Sequence, residues 1–157
     1  MGVAGCGKFS VGMALAPVFG ARYADGDDLH PAENIAKMCR GEPLTDADRW
    51  PWLARVGAAL AATGVIMGCS ALKRAYRERI VQHAGGPVCF VHLSGSKALI
   101  AARMAARPGH FMPLALLDSQ FATLEPPEPD ENAFSVDIDQ PMAVLISEIV
   151  AKLDAGL

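Results

Sequence analysis

A glycine-rich segment at the start of the chain has the spacing of a phosphate-binding loop. Residues 2 to 8 read Gly-Val-Ala-Gly-Cys-Gly-Lys, which satisfies the pattern G-x-x-x-x-G-K. Glycines let the backbone curl so that several N–H groups point at one phosphate chain, and Lys8 adds a charge near the β and γ phosphates. The alternative is a glycine-rich turn that caps a helix. The loop prediction covers Gly2, Val3, Ala4, Gly5, Cys6, Gly7, Lys8, Phe9 and Ser10.

The residue after the lysine departs from that pattern. A Ser or Thr is expected there, because its hydroxyl ligates Mg²⁺, and this chain has Phe9 with a hydroxyl only at Ser10. A phenyl ring cannot ligate a metal, although the Phe9 backbone N–H can still bind phosphate. We therefore expect nucleotide binding to be retained better than catalysis, with Ser10 as the remaining candidate for the metal.

A second departure concerns the strand that leads into such a loop. The loop joins the end of a strand to a helix, and only Met1 precedes Gly2, so we expect the first strand of the sheet to be missing. Its neighbours would then carry unpaired N–H and C=O groups. Either the true start lies upstream or the protein is impaired. Adding about five apolar, β-branched residues before Gly2 is expected to raise stability.

Two carboxylates follow the next predicted strand. Asp25 and Asp27 form a D-x-D at a strand end, where α/β proteins place their chemistry. One carboxylate can hold a Mg²⁺-bound water while the other holds an acceptor hydroxyl. Asp and Gly are also the favoured residues of solvated turns, so a turn without chemistry is the alternative.

The elements that must position these residues alternate along the chain. Short β-branched runs separated by helical patterns predict an α/β fold, in which helices cover both faces of a parallel sheet. Thr45 and Asp48 form a capping box at the start of one helix. No repeat or linker interrupts residues 1–157, which predicts a single domain. The predicted strands are 22–25, 65–69, 88–93 and 134–137, and the predicted helices are 8–19, 31–39, 46–62, 71–82, 97–105, 114–123 and 141–153.

Composition excludes several classes of partner. A net charge of -3 without a long basic run gives no footprint for nucleic acid. The four cysteines form no C-x-x-C pair, so we expect reduced thiols rather than a zinc site or a disulfide framework. The apolar stretch 56–67 is too short to span a bilayer. We therefore expect a cytoplasmic protein that binds neither nucleic acid nor membranes.

Eight blocks of sequence resemble the signature blocks of bacterial gluconokinases, in the family's order. This combination is more specific than the phosphate loop, which alone leaves relatives of shikimate kinase and adenylate kinase open. The blocks are DGDDLHP (25–31), NIAKM (34–38), PLTDADRWPWL (43–53), CSALKRAYR (69–77), GHFMP (109–113), LDSQF (117–121), LEPP (124–127) and DIDQP (137–141).

The resemblance implies a P-loop NTPase fold of the nucleoside-monophosphate-kinase type, which is a three-layer α/β sandwich with a mobile lid around residues 103–113. It also implies phosphorylation of gluconate by ATP with Mg²⁺, and a homodimer. Arginines four apart, Arg103 and Arg107, would bring guanidinium groups to the transferring phosphoryl. His110 could touch substrate or be a loop residue without chemistry.

The resemblance also assigns roles to the remaining candidates. Gluconate carries a carboxylate and a row of hydroxyls, so its pocket needs cations and hydrogen-bonding groups. Lys73 and Arg77 lie four apart on one predicted helical face and could converge on one ligand, the alternative being a solvated face. The implied catalytic residues are Lys8, Asp27, Arg103 and Arg107; the substrate-binding residues are Asp27, Arg49, Lys73, Arg74, Arg77, His110 and Gln120; Asp139, Gln140 and Pro141 flank the adenine; and the metal ligands are Ser10 and Asp25.

Three functions remain open at this point. The first is a working gluconokinase in which Asp27 orients or deprotonates the acceptor hydroxyl. The second is a catalytically impaired, nucleotide-binding remnant, because of Phe9 and the missing strand. The third is a kinase for another sugar acid or polyol.

Overall fold

The computed structural model describes residues 1–106 and 114–156, and over these ranges the chain is an α/β protein. Helices and strands alternate as the sequence predicts, most of their bounds lying within one or two residues of the prediction. The elements are α1 (Lys8–Val18), β1 (Arg22–Asp25), a 3-10 helix (Gly26–Leu29), α2 (Ala32–Cys39), α3 (Asp46–Leu60), β2 (Val65–Gly68), α4 (Arg74–Ala84), β3 (Phe90–Ser94), α5 (Lys97–Ala105), α6 (Leu114–Thr123), β4 (Ala133–Asp137) and α7 (Met142–Asp154).

The four strands form two parallel pairs. Strand β1 pairs with β2, so that Arg22 lies opposite Val65, and β3 pairs with β4, so that Phe90 lies opposite Ala133. The main chain of the first residues lies between the pairs. Leu93 N–H donates to the Met1 carbonyl at 3.0 Å, and Gly2 N–H donates to the Ser70 carbonyl at 3.1 Å.

A largely apolar cavity of about 460 Å³ separates β2 from β3. Its walls include side chains of α1, α3, β2 and β3, among them Val11, Leu15, Val56, Val65 and Val91. In the predicted fold, the strand that leads into the phosphate loop would lie between these two strands. The absence of that strand stays a prediction.

Side chains from the two faces of the strands pack into two separate cores, which gives the three layers. Neighbouring residues on one strand face opposite sides, so Ile66 joins one core and Met67 the other, as Val91 and Phe90 do. The first core contains residues of α1, α5, α6, β4 and α7; the second contains Trp52, Leu53 and Val56 of α3 with Tyr76 and Ile80 of α4.

Two local signals decide where α3 and α4 begin. The predicted capping box at α3 is confirmed, because Asp48 N–H donates to Thr45 Oγ1 and Thr45 N–H donates to Asp48 Oδ2 at 2.8 Å. Helix α4 begins at Arg74, later than predicted, with Lys73 as its N-cap and Ala71 at φ 44°. Across the described part of the chain, every helix falls short of the length and apolar character that a bilayer crossing requires.

Candidate active site

The glycines of the phosphate loop adopt conformations that other residues rarely adopt. Gly2, Gly5 and Gly7 have φ angles of 140°, 79° and 98°. A Cβ on Gly5 would lie 2.5 Å from Cγ of Met104, so a larger residue would collide with α5. The space beside Gly7 is open, and α1 begins directly after it. An open N-terminal helix end with curled backbone before it is suited to bind anions.

Lys8 lies across this loop. Its ammonium donates to the carbonyl oxygens of Gly2 and Val3, both at 3.0 Å. The side chain thereby places a positive charge beside the curl of N–H groups. Cys6 is 1% exposed and packs in the core, which favours a small inert residue over a reactive thiol.

Gln120 contacts the phosphate loop. Its Oε1 accepts a hydrogen bond of 2.6 Å from Ala4 N–H, so α6 is tied to the loop. The resemblance predicts that Gln120 binds the substrate. The bond to Ala4 shows that its side chain lies against the phosphate loop. Nothing in the spacing of the sequence indicates this contact.

Phe9 and Ser10 occupy the first turn of α1. The Phe9 side chain is 58% exposed and meets the Tyr23 ring edge to face, with centroids 5.5 Å apart. The Tyr23 hydroxyl has no hydrogen-bond partner among the described residues. Burial and the nearby carboxylates, Asp25 foremost, raise the pKa of Tyr23 to about 12. Within the described ranges, no three His, Cys, Asp or Glu side chains gather to hold a metal ion.

The two predicted carboxylates lie at the end of β1. Asp25 Oδ1 accepts from Asp27 N–H at 3.0 Å, and this bond opens the 3-10 helix that the sequence analysis did not predict. The Asp27 side chain is 76% exposed, so the protein withdraws its carboxylate from water only in part. This partial desolvation and the Asp25 charge raise the pKa of Asp27, while the nearby Lys8 ammonium lowers it. The carboxylates and the phosphate loop are therefore neighbours.

A buried polar cluster beside Asp27 was missed as a site by sequence reasoning. His30 stacks on Trp52, with ring centroids 4.2 Å apart and planes 13° from parallel, and Asn34 lies 3.2 Å from its Nδ1. Trp52 Nε1–H donates to the Gly26 carbonyl at 2.7 Å. Burial, with a smaller contribution from Arg49, lowers the pKa of His30 to about 4. The sequence signal that could have indicated this cluster is the spacing of His30 and Asn34, which lie four residues apart at the start of a predicted helix.

Two of the cations predicted to bind the acceptor gather around Tyr76. Arg49 lies 5.7 Å and Lys73 5.3 Å from the centre of the Tyr76 ring. Lys73 Nζ also donates to both oxygens of Asp46, at 2.8 and 3.0 Å, and the Tyr76 hydroxyl donates to the same carboxylate. Arg49 and Lys73 thus lie close together near the first turn of α3.

Arg77 does not converge with Lys73, contrary to the spacing argument. Lys73 lies outside α4 as its N-cap, so the rule for residues four apart on one helix does not apply to this pair. Arg77 is 1% exposed, pairs with Glu131 through two bonds of 2.5 and 2.7 Å, and donates to the Ala71 and Glu125 carbonyls. Its guanidinium is therefore a structural crosslink.

Arg74 and Arg103 also have partners within the protein. Arg74 donates to Asp130 at 2.8 and 3.0 Å and to Glu78 at 3.0 Å, away from Lys73. Arg103 Nη2 donates to the Ile138 carbonyl at 2.7 Å, which ties α5 to the loop predicted to flank the adenine.

That adenine-flanking loop is braced by its own side chains. Asp139 N–H donates to Asp137 Oδ1, Gln140 donates to the Asp137 carbonyl and to Glu148, and Pro141 is the N-cap of α7. Arg107, His110 and most of the predicted lid lie outside the described residues.

The sequence is similar to those of curated gluconokinases. The chain is 44% identical to a gluconokinase of Gluconobacter oxydans (strain 621H), over 99% of this chain and 89% of the relative. It is 47% identical to the thermosensitive gluconokinase of Escherichia coli (strain K12), over 91% and 79% of the two chains. A scan against protein-family models finds no match.

Solved structures give the same result. The crystal structure of a gluconokinase from Sinorhizobium meliloti 1021 superposes with a TM-score of 0.91 at 49% identity, over 99% of this chain and 89% of that one. An APS kinase of Mycobacterium tuberculosis, at 19% identity and a TM-score of 0.68, shares the fold alone. The whole-length identity to curated gluconokinases decides the assignment: this chain belongs to the gluconokinase family, and it is a kinase with the P-loop kinase fold.

Proposed function

We propose that the protein phosphorylates D-gluconate with ATP and releases 6-phosphogluconate. The observation that carries the proposal is a set of three parts: the loop with Lys8, the carboxylate of Asp27, and the cation pair Arg49 and Lys73, of which Arg49 lies near enough to His30 beside Asp27 to lower the pKa of that ring. The first suits a phosphate chain, the second an acceptor hydroxyl and the third the carboxylate of a sugar acid.

The residues present fit a nucleotide. The glycines with positive φ and the start of α1 can present main-chain N–H groups to a phosphate chain, with Lys8 beside it. We assign the adenine side to Asp139, Gln140 and Pro141, whose loop is fixed to α5 by Arg103. Arg103 would then act by holding this loop.

Fewer residues are available to bind Mg²⁺ than to bind the nucleotide. When bound, Mg²⁺ neutralises charge on the phosphates, and it commonly keeps several waters and takes only one or two protein carboxylates. Asp25, at the end of β1, is the carboxylate we assign to it, with Ser10 as the candidate hydroxyl. Phe9 offers no oxygen where the pattern has one.

Asp27 is the group we assign to the acceptor hydroxyl. Its pKa is raised by partial desolvation and by Asp25, so its carboxylate is more basic than an ordinary one and accepts a hydroxyl proton more readily. Lys8, which lies close enough to lower that pKa, can stabilise the charge that develops on the phosphoryl oxygens. Arg107 remains a proposed further cation for this step.

The test is a coupled assay for ADP release with gluconate, other sugar acids and polyols. We expect turnover with gluconate, and an Asp27→Asn variant should lose at least about a hundredfold in kcat because it cannot accept a proton. A panel in which gluconate is inert while another polyol is phosphorylated would reassign the acceptor.

Phe9 favours a second candidate, a protein that binds nucleotide without turning over. A phenyl ring that is 58% exposed stands on the first turn of α1, at the position of the usual metal-binding hydroxyl. Phe9→Ser distinguishes the two functions. A protein that binds ATP but releases ADP only after this substitution would support the second candidate, whereas turnover in the unaltered chain would reject it.

Assembly as a homodimer in the cytoplasm is also part of the proposal. It rests on the resemblance to the family, and sedimentation of the purified protein over a range of concentrations tests the dimer.

A further inference from the structure

The imidazole of His30 is held in one tautomer by its neighbours. Asn34 Nδ2 lies 2.8 Å from the Asp48 carbonyl oxygen and 3.2 Å from His30 Nδ1. A carbonyl oxygen only accepts, so Asn34 must present its NH₂ group to Asp48, and the same nitrogen then donates its second hydrogen to Nδ1. Nδ1 is therefore an acceptor, and the proton of the neutral ring is on Nε2.

Burial keeps that ring neutral and fixed in direction. His30 is 9% exposed and stacked on Trp52, which is itself held by the Gly26 carbonyl. Arg49 opposes protonation of the ring, and the Asp27 carboxylate lies 4.0 Å from Nε2. With the pKa of His30 lowered to about 4, the ring presents a neutral N–H donor throughout the neutral pH range.

The N–H donor faces a carboxylate across a gap of defined size. His30 Nε2 lies 4.0 Å from Asp27 Oδ1, which is too long for a hydrogen bond between them. An oxygen atom placed about 2.8 Å from each would bridge the pair. The bridging group must accept from the N–H and donate to the carboxylate. A hydroxyl does both, whereas a carboxylate or phosphate oxygen has no hydrogen to donate.

We propose that His30 and Asp27 together bind one hydroxyl group of the acceptor, Nε2–H donating to the hydroxyl oxygen and the hydroxyl donating to Asp27. This rests on the proposed function, since it assigns the hydroxyl to the sugar acid. The pair aligns the hydroxyl hydrogen with the carboxylate and leaves the second lone pair of the oxygen free. It also gives this end of the pocket a preference for alcohols over anions.

The tautomer can be measured in the unaltered protein. In ¹⁵N-histidine-labelled protein, long-range proton–nitrogen spectra distinguish the four histidines by their protonated nitrogen, and His30→Gln identifies the His30 signals. Between about pH 6 and pH 8 we expect His30 to carry its proton on Nε2 and not to titrate. A proton on Nδ1, or a titration near the ordinary histidine pKa, would overturn the proposal.

Kinetics test the contact with substrate. His30→Phe keeps a ring against Trp52 but removes the donor, and should raise KM for gluconate roughly three- to tenfold with KM for ATP unchanged. His30→Gln carries an amide N–H at a similar reach and should recover most of that loss. His83→Phe, exposed on α4, is the matched control. Equal KM values in the Phe and Gln variants would contradict the proposal, as would a rise in both substrates' KM.

Failure of the proposed function is distinguishable from failure of this inference. If Asp27→Asn keeps full turnover, the role of Asp27 in the reaction is wrong, whatever the His30 spectra show. If Asp27→Asn abolishes turnover while His30→Phe leaves KM for gluconate unchanged, only the hydroxyl-binding pair is wrong.

Discussion

The indole N–H of Trp52 donates to the main-chain carbonyl of Gly26 at 2.7 Å, and this bond joins α3 to the turn that carries Asp25 and Asp27. Trp52 is 2% exposed, so the carbonyl has little access to water as a substitute partner. The position of the carboxylates therefore depends on a tryptophan that is itself almost fully buried.

Trp52→Phe should lower the free energy of unfolding by about 1 to 3 kcal/mol, because it leaves the Gly26 carbonyl buried and unpaired. We also expect KM for gluconate to rise, since the 3-10 helix loses its anchor. Urea unfolding and steady-state kinetics measure the two effects. Trp50→Phe is the control; if it costs as much stability as Trp52→Phe, the hydrogen bond is not the cause.

Arg77 and Lys73 should behave in opposite ways when each is replaced by Met. Arg77→Met leaves the largely buried Glu131 without its partner, so stability should fall by about 3 to 5 kcal/mol. Lys73→Met removes an exposed pair with Asp46 and should change stability little, while raising KM for gluconate. Thermal unfolding and kinetics on both variants check this. A Lys73 variant with unaltered KM would remove Lys73 from the acceptor site.

Stability should decrease as the pH falls below about 6.5. Burial lowers the pKa of His30 and of His92 from the ordinary value to about 4. Between about pH 6.5 and pH 4 the unfolded chain therefore binds protons at these two residues that the folded chain does not bind. The loss from each histidine should reach at most about 1.4 kcal/mol per pH unit and should level off below about pH 4. Below that pH, protonation of carboxylates whose pKa is lowered in the fold, such as Asp48, should reduce the stability further.

Urea unfolding at a series of pH values measures that loss. His92, which is 4% exposed and bonded to Ser135 at 2.9 Å, can be replaced by Leu, and the slope should then fall by about half. His83→Gln, at an exposed site, should leave the slope unchanged. A profile that is flat from neutral pH to pH 4 would show that neither ring resists protonation.

Filling the cavity between β2 and β3 should stabilise the fold. An added segment of about five apolar, β-branched residues before Gly2 would cover apolar walls and meet the free strand edges, raising the melting temperature by at least about 4 °C. A segment of equal length with alternating Lys and Glu is the control. If the two extended proteins and the unextended one melt together, the cavity does not accept a strand.

Periodicity and end signals were sufficient to predict the α-helices and strands of the described residues, but not the 3-10 helix Gly26–Leu29. The strand at 22–25 and the helices 97–105 and 114–123 have the predicted bounds, and the Thr45 capping box is present. These features are local, so neighbouring residues in sequence determine them. The loop glycines and the D-x-D turn were predictable for the same reason.

Contacts between distant segments were not predictable in this way. Arg77 and Glu131, Gln120 and Ala4, and Arg103 and Ile138 are each far apart in sequence, and a helical face shows only that a side chain is available. The convergence of Lys73 and Arg77 failed because one residue lies at a helix cap. His30 was missed because its partner Asn34 is oriented by the Asp48 carbonyl of α3, which is distant in sequence.

The phosphate loop is held from two sides, by Met104 of α5 against Gly5 and by Gln120 of α6 at Ala4. These are the two helices on either side of residues 107–113 in the chain. The shape of the loop and the spacing of the helices are therefore thermodynamically linked. If phosphate binding favours one spacing of α5 and α6, a second ligand that favours the same spacing will bind more tightly when phosphate is bound. By reciprocity, that ligand raises the affinity for phosphate by the same factor.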